Sequence, residues 1–253
     1  MNNISKAKLV KEHQPEAVRK RLNHGPKRQN VSDAVLGGID GCITTFAVVS
    51  GSLGAGFPSS VAVILGFANL FADGFSMAIS NYESSKAEEE YFDSIKKSEE
   101  RHIKEVPEGE REEIRQIFQA KGFEGELLEK VLDTITANKS VWLDVMLVEE
   151  HGLSRSTQKP SISAGVTFLA FVAVGAVPLL PYIVSSLETG QQFAASAFLA
   201  GVMFFLIGML KSLALARPVL VSGIRTLLTG GTAAALAYFT AYFLREIFGV
   251  AAG

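Results

Sequence analysis

The chain has 253 residues, 48% hydrophobic yet 20% charged, so apolar and charged residues must be segregated along it, as in an integral membrane protein. A net charge of only -2 and a single cysteine, Cys42, exclude a nucleic-acid footprint and an intrachain disulfide. The sign of the charge is divided: the first thirty residues hold eight Lys or Arg against two Glu, and Glu83 to His151 hold nineteen acids against ten bases.

The leading segment is polar and basic and lacks the apolar core of a cleavable signal. Ser5 to Leu22 reads as one short amphipathic helix suited to a surface of anionic lipid. Five stretches then approach the roughly 20 apolar residues needed to cross a bilayer. They run near 33–54, 58–81, 161–184, 193–214 and 219–247.

Between the second and third of these, Tyr82 to Gln158 is too long for a simple loop. It reads as three helices, about 82–105, 108–121 and 124–151, broken near Pro107 and Gly122. The expected class is all-α: five transmembrane helices plus a cytosolic three-helix domain. The divisions are a basic segment at 1–30, spans 1 and 2 at 31–82, the helical metal-binding domain at 83–158 and spans 3 to 5 at 159–253. Eight Lys or Arg, ending with Lys27 and Arg28, precede the first span, and Lys211, Arg217 and Arg225 flank the fourth loop, whereas 54–58 and 185–192 hold none. The positive-inside rule therefore puts the N-terminus and the insert in the cytosol and the C-terminus outside.

Asp40 falls midway along the first span, where an ionised acid costs at least about 2.5 kcal/mol and is functional by default. Asp33 lies two turns earlier on about the same face, and Asp73 and Met77 share a face of the second span. Carboxylates alone favour hard cations, and a thioether tilts the preference toward iron-like metals. A desolvated Asp could also take up a proton as metal leaves. In the insert, Glu99 with His102, Glu110 with Glu113, and Met146 with Glu150 are spaced three or four residues apart and so share helical faces. Glu99-x-x-His102 is half of a ferritin-like di-iron pattern, which needs two such pairs. The plainer alternatives are acids paired with arginines or lining solvated faces. Gly37 and Gly41, and Ala68 and Ala72, are spaced for close helix packing within a subunit or across a dimer.

Three segments carry a resemblance: SDAVLGGIDG at 32–41, ADGFSMAISNYE at 72–83, and WLDVM at 142–146 followed by Glu149 and Glu150. Together they resemble the vacuolar iron transporter family, over nearly the whole chain. The resemblance implies a homodimer of five-span subunits that exchanges Fe²⁺, and by extension Mn²⁺, for protons. The ions leave the cytosol through a path between subunits, after collection by the soluble domain. It implies a transporter rather than an enzyme, with iron as cargo and no resident cofactor. The hosting membrane would be the inner membrane of a bacterium or a vacuole-like membrane of a eukaryote. The family's intramembrane ligands fall on Asp40 and Met77, with Asp33 and Glu83 in matching motif positions. Its soluble ligands fall on Glu99, Glu110, Glu113, Met146 and Glu150. The chain departs from the family pattern at His102, where a Glu is common, and at Leu147, where a second Met is common. A rival reading is a membrane-anchored iron-binding or ferroxidase protein, against which the costly Asp40 argues.

Overall fold

The computed structural model describes residues 6–24, 29–154, 159–184, 187–215 and 219–249, and every regular element among them is helical. Lys27, Arg28 and Arg217, used above to orient the chain, lie outside the described residues. The elements are α1 (Lys6–Glu12), α2 (Pro15–His24), α3 (Gln29–Gly54), α4 (Ser59–Glu105), α5 (Pro107–Ala120), α6 (Gly125–Thr136) and α7 (Lys139–Glu149). They continue as α8 (Pro160–Gly175), a 3₁₀ turn (Val177–Leu179), α9 (Leu180–Ile183), α10 (Thr189–Leu215) and α11 (Val219–Phe248). Five segments are long and apolar enough to cross a membrane: Asn30–Gly54, Ser59–Glu105, Pro160–Ile183, Thr189–Ser212 and Val219–Phe248.

Three predicted elements differ. The leading helix is two, because Pro15 supplies no N–H and starts a new helix instead. The second span and the first helix of the insert are one 47-residue helix, α4. No glycine or proline interrupts the chain between Gly74 and Val106, and the pairs Lys86–Glu89 (3.1 Å) and Lys96–Glu100 (3.9 Å) lie along its polar part. It stops at Val106, forced out of helical geometry (φ -135°, ψ 54°) by Pro107. The expected helix at 124–151 is two, α6 and α7, divided at Asn138. The Asn138 side chain accepts from the N–H groups of Ser140 (3.0 Å) and Val141 (3.4 Å), a capping arrangement that starts α7.

The chain divides into two compact units, Met1–Tyr82 with Pro160–Gly253, and Glu83–Lys159. In the first, the core is built from Cys42, Phe46 and Val49 of α3, Leu70 of α4, Phe171 of α8, and Ala200 and Phe204 of α10. Phe198, Leu228, Leu236 and Ile247 point outward, as expected where lipid replaces water. The close approach of α3 and α8 needs glycine: a Cβ on Gly37 or Gly41 would collide with the backbone of Thr167 or Phe171. The Gly37 and Gly41 spacing thus serves packing inside one subunit, whereas Ala68 and Ala72 are exposed on α4. Around Pro178 and Pro181 the third span breaks, and the freed carbonyls find side chains: Ser196 Oγ donates to Pro178 O (2.6 Å) and Gln192 Nε2 to Val184 O (3.2 Å). Such compensation is what an apolar medium demands of an interrupted helix.

The second unit has its own core of Ile103, Ile114, Leu128, Leu132, Trp142, Met146 and Leu147. At its rim Arg111 meets Asp133 (2.7 Å) and Glu129 (3.2 Å), and Arg115 also pairs with Glu129, tying α5 to α6.

Candidate metal centre

In the second unit the sequence places an acid on each of three elements, and the fold turns them toward one point. Glu99 comes from α4, Glu110 from the first turn of α5, and Glu150 from the end of α7. Glu99 and Glu110 are each only 3% exposed. His102, one turn after Glu99, brings Nδ1 to 3.6 Å from Glu99 Oε1 and 3.5 Å from Glu110 Oε1. His151 brings Nε2 to 3.2 Å from the same Glu99 Oε1 and 3.6 Å from Glu150 Oε2.

The Oε2 atoms of Glu99 and Glu110 are buried with no hydrogen-bond partner among the described residues. Leaving a buried acceptor unpaired costs about 1–3 kcal/mol, and more when it is charged, so the pocket is short of positive charge. Glu110 shows the consequence. Burial first, then the negative charges of Glu99 and Glu113, push its carboxyl up to about 8. Burial also raises Glu150 above the ordinary carboxylate range, with Glu113 the next cause. A cation entering here would relieve all of these penalties together.

Of the residues expected from sequence, Glu99, His102, Glu110 and Glu150 converge, and Glu113 lies near enough to act on Glu110 and Glu150 electrostatically. Met146 is fully buried in the apolar core, one turn before Glu150. Glu83 is exposed.

His151 was not among the expected ligands. It directly follows Glu150, so a continuing helix would turn it about 100° away. The helix does not continue: Gly152 takes a positive φ of 65° and Leu153 N–H donates back to Leu147 O (2.8 Å). A glycine one residue after a histidine at a helix end was the available signal.

In the first unit Asp40, on α3, and Asp73, on α4, are both partly buried. Met77 packs against the unit's core. Asp33 accepts from Ser163 Oγ (2.5 Å) and Asn81 Nδ2 (3.3 Å), and Asn81 also donates to Thr167 Oγ1 (2.6 Å). This network joins α3, α4 and α8, and its other members were not foreseen, because a lone Asn, Ser or Thr in a span has no distinguishing spacing.

The model of the VIT family matches residues 31–242. The chain is 31% identical to "Vacuolar iron transporter 1" of Oryza sativa subsp. japonica, over 85% of this chain and 88% of that protein. It is 32% identical to "Vacuolar iron transporter" of Plasmodium falciparum, over 75% of this chain and 73% of that protein. It is 30% identical to "Vacuolar iron transporter 1" of Tulipa gesneriana, over 96% of each. A match spanning both units, at this identity and coverage, shows that the chain belongs to the VIT family.

Proposed function

We propose that this chain transports Fe²⁺, and Mn²⁺ as a second cargo, out of the cytosol in exchange for protons. The observation that carries the reading is that Asp40 and Asp73, on α3 and α4, are partly buried acids inside a unit of five membrane-length helices. Two acids kept in such a medium need a charge to offset them, and a divalent cation or protons can each supply it. Asp40 and Met77 act as the transport ligands, with Asp73 as the neighbouring acid. The relatives named vacuolar iron transporters support iron as the cargo.

The cluster around Glu99 and Glu110 collects the ion on the cytosolic side, with Glu113 and Met146 supporting it. Proton exchange follows from the same chemistry: a carboxyl that is protonated without metal releases its proton when metal binds. The working unit is a homodimer in a vacuole-like or plasma membrane, with the N-terminus and the 83–158 domain in the cytosol.

The test is Fe²⁺ uptake by proteoliposomes that are neutral outside and acid inside, with wild type compared with Asp40→Ala and Glu99→Gln. Uptake that needs Asp40 and the gradient, and is weakened by Glu99→Gln at low Fe²⁺, supports transport and collection. Equal uptake by empty and protein-loaded vesicles, with iron still bound or oxidised by the protein, would replace transport with an anchored iron-binding or ferroxidase role.

A further inference from the structure

The metal ligands assigned above include one imidazole, His102, yet the geometry around Glu99 has two halves. Glu99 Oε1 is the atom nearest both imidazoles, with His102 and Glu110 on one side and His151 and Glu150 on the other. In each half the three ligand atoms lie within 4.8 Å of one another.

His151 Nε2 lies within hydrogen-bonding reach of Glu99 Oε1 (3.2 Å), and the other three His–Glu pairs are looser. A charge-assisted N–H···O bond draws its atoms to about 2.7–2.9 Å. The four His–Glu separations here run from 3.2 to 3.6 Å. Ligands held about 2.1 Å from one ion stand roughly 3.0–3.5 Å apart at the edges of an octahedron or tetrahedron. The four separations overlap or lie close to that range, so the groups need move little to share an ion. A second observation concerns Glu99 itself: its side chain is 4% exposed, and its Oε2 is buried with no hydrogen-bond donor among the described residues. His151 is held in position by the reversal at Gly152 and by its own N–H, which donates to Met146 O (3.4 Å).

We propose that His151 is a metal ligand. With Glu99 and Glu150 it forms a second cation subsite beside the one of Glu99, His102 and Glu110, and Glu99 is shared between them. Each subsite then has one imidazole nitrogen among carboxylate oxygens. Imidazole suits iron- and zinc-like dications, whereas Mg²⁺ and Ca²⁺ take oxygen ligands, so the two histidines select transition-metal dications before the ion reaches the spans. This inference rests on the metal-collecting role given to the soluble unit above.

The experiment uses the full chain in detergent micelles and Zn²⁺ as a redox-silent probe. Bound Zn²⁺ is counted by equilibrium dialysis, and the imidazole outer-shell scattering is read at the zinc absorption edge. Wild type, His151→Gln, His151→Asp, His102→Gln and Glu99→Gln are compared, with circular dichroism as the check on folding. Partners that merely orient a ligand are worth about 10–100-fold in metal affinity, so His151→Gln should weaken one binding step at least tenfold and remove part of the imidazole signal. His151→Asp should restore the bound count without restoring that signal. In His102→Gln, whose only imidazole at the cluster is His151, the signal should persist. In wild type a hundredfold excess of Ca²⁺ should leave the bound Zn²⁺ in place.

If Zn²⁺ binds in a Glu99-dependent way, but affinity and scattering are the same with and without the His151 imidazole, His151 is not a ligand and the collecting role stands. Loss of all imidazole scattering in His102→Gln would equally remove His151 from the ligand set. If Glu99→Gln changes nothing because wild type holds no Zn²⁺ at the cluster, both the second subsite and the collecting role fall.

Discussion

Gly175 of α8 and the backbone of Gly41 in α3 meet so closely that a Cβ on Gly175 would stand 2.7 Å from the Gly41 carbonyl oxygen. Asp40 is the residue before Gly41, so this contact sets where the α3 acid sits. Gly175→Ala should cost about 1–3 kcal/mol through overpacking. The readout is thermal unfolding in detergent, with a lowered midpoint expected, together with reduced Fe²⁺ transport although Asp40 is intact. Gly165, whose added Cβ meets nothing within 4 Å among the described residues, is the control, and Gly165→Ala should unfold at the wild-type temperature or above.

The raised Glu110 carboxyl gives a pH dependence with a definite sign. The folded form holds the proton up to about 8, against 4.5 for the free side chain. Between those values the native state binds more protons than the unfolded one, so the metal-free soluble unit loses stability as pH rises through the window. Metal binding displaces the proton. Apparent Zn²⁺ affinity should therefore rise about tenfold per unit below pH 8 for one proton released. Calorimetry in buffers of different ionisation enthalpy counts the protons, and Glu110→Gln should flatten the stability trend in that window.

The cap at Asn138 should be separable from the site chemistry. Asn138→Ala removes the acceptor for two N–H groups at the start of α7, at a typical cost of about 1 kcal/mol. Amide exchange over 139–149 should accelerate. Zn²⁺ affinity should fall only mildly, since Glu99, Glu110 and both histidines are retained.

The Asp33 network predicts coupling between helices. Ser163→Ala removes a hydrogen bond to a carboxylate and should cost about 1.5–3 kcal/mol. A double-mutant cycle with Asp33→Asn should show a coupling energy of at least about 0.5 kcal/mol in thermal unfolding. Additive effects would mean that Ser163 does not hold Asp33.

Much of the fold was readable in the sequence because its strongest constraint is a length. About 20 apolar residues per crossing reveal the five spans, and an acid such as Asp40 stands out against that background. The failures share a cause: periodicity is blind to what ends a helix. Around Asn138 the apolar pattern runs on, so only side-chain capping marks the break between α6 and α7. Past Glu149 the periodicity stops applying, and His151 reaches Glu99, 52 positions earlier in the chain, through a glycine reversal. Glu99, Glu110 and Glu150, which the fold brings together, were singled out by helical spacing joined to the family resemblance, since spacing alone left solvated acidic faces as an alternative.

Proton-coupled export is tested most directly by following the proton itself. Vesicles with an acidic lumen and a trapped pH dye receive external Fe²⁺, and iron uptake and lumen pH are followed together. In wild type the lumen should become more alkaline in step with iron entry, and Asp40→Ala should abolish both. Iron entry with no change in lumen pH, or with the same traces in Asp40→Ala, would contradict it.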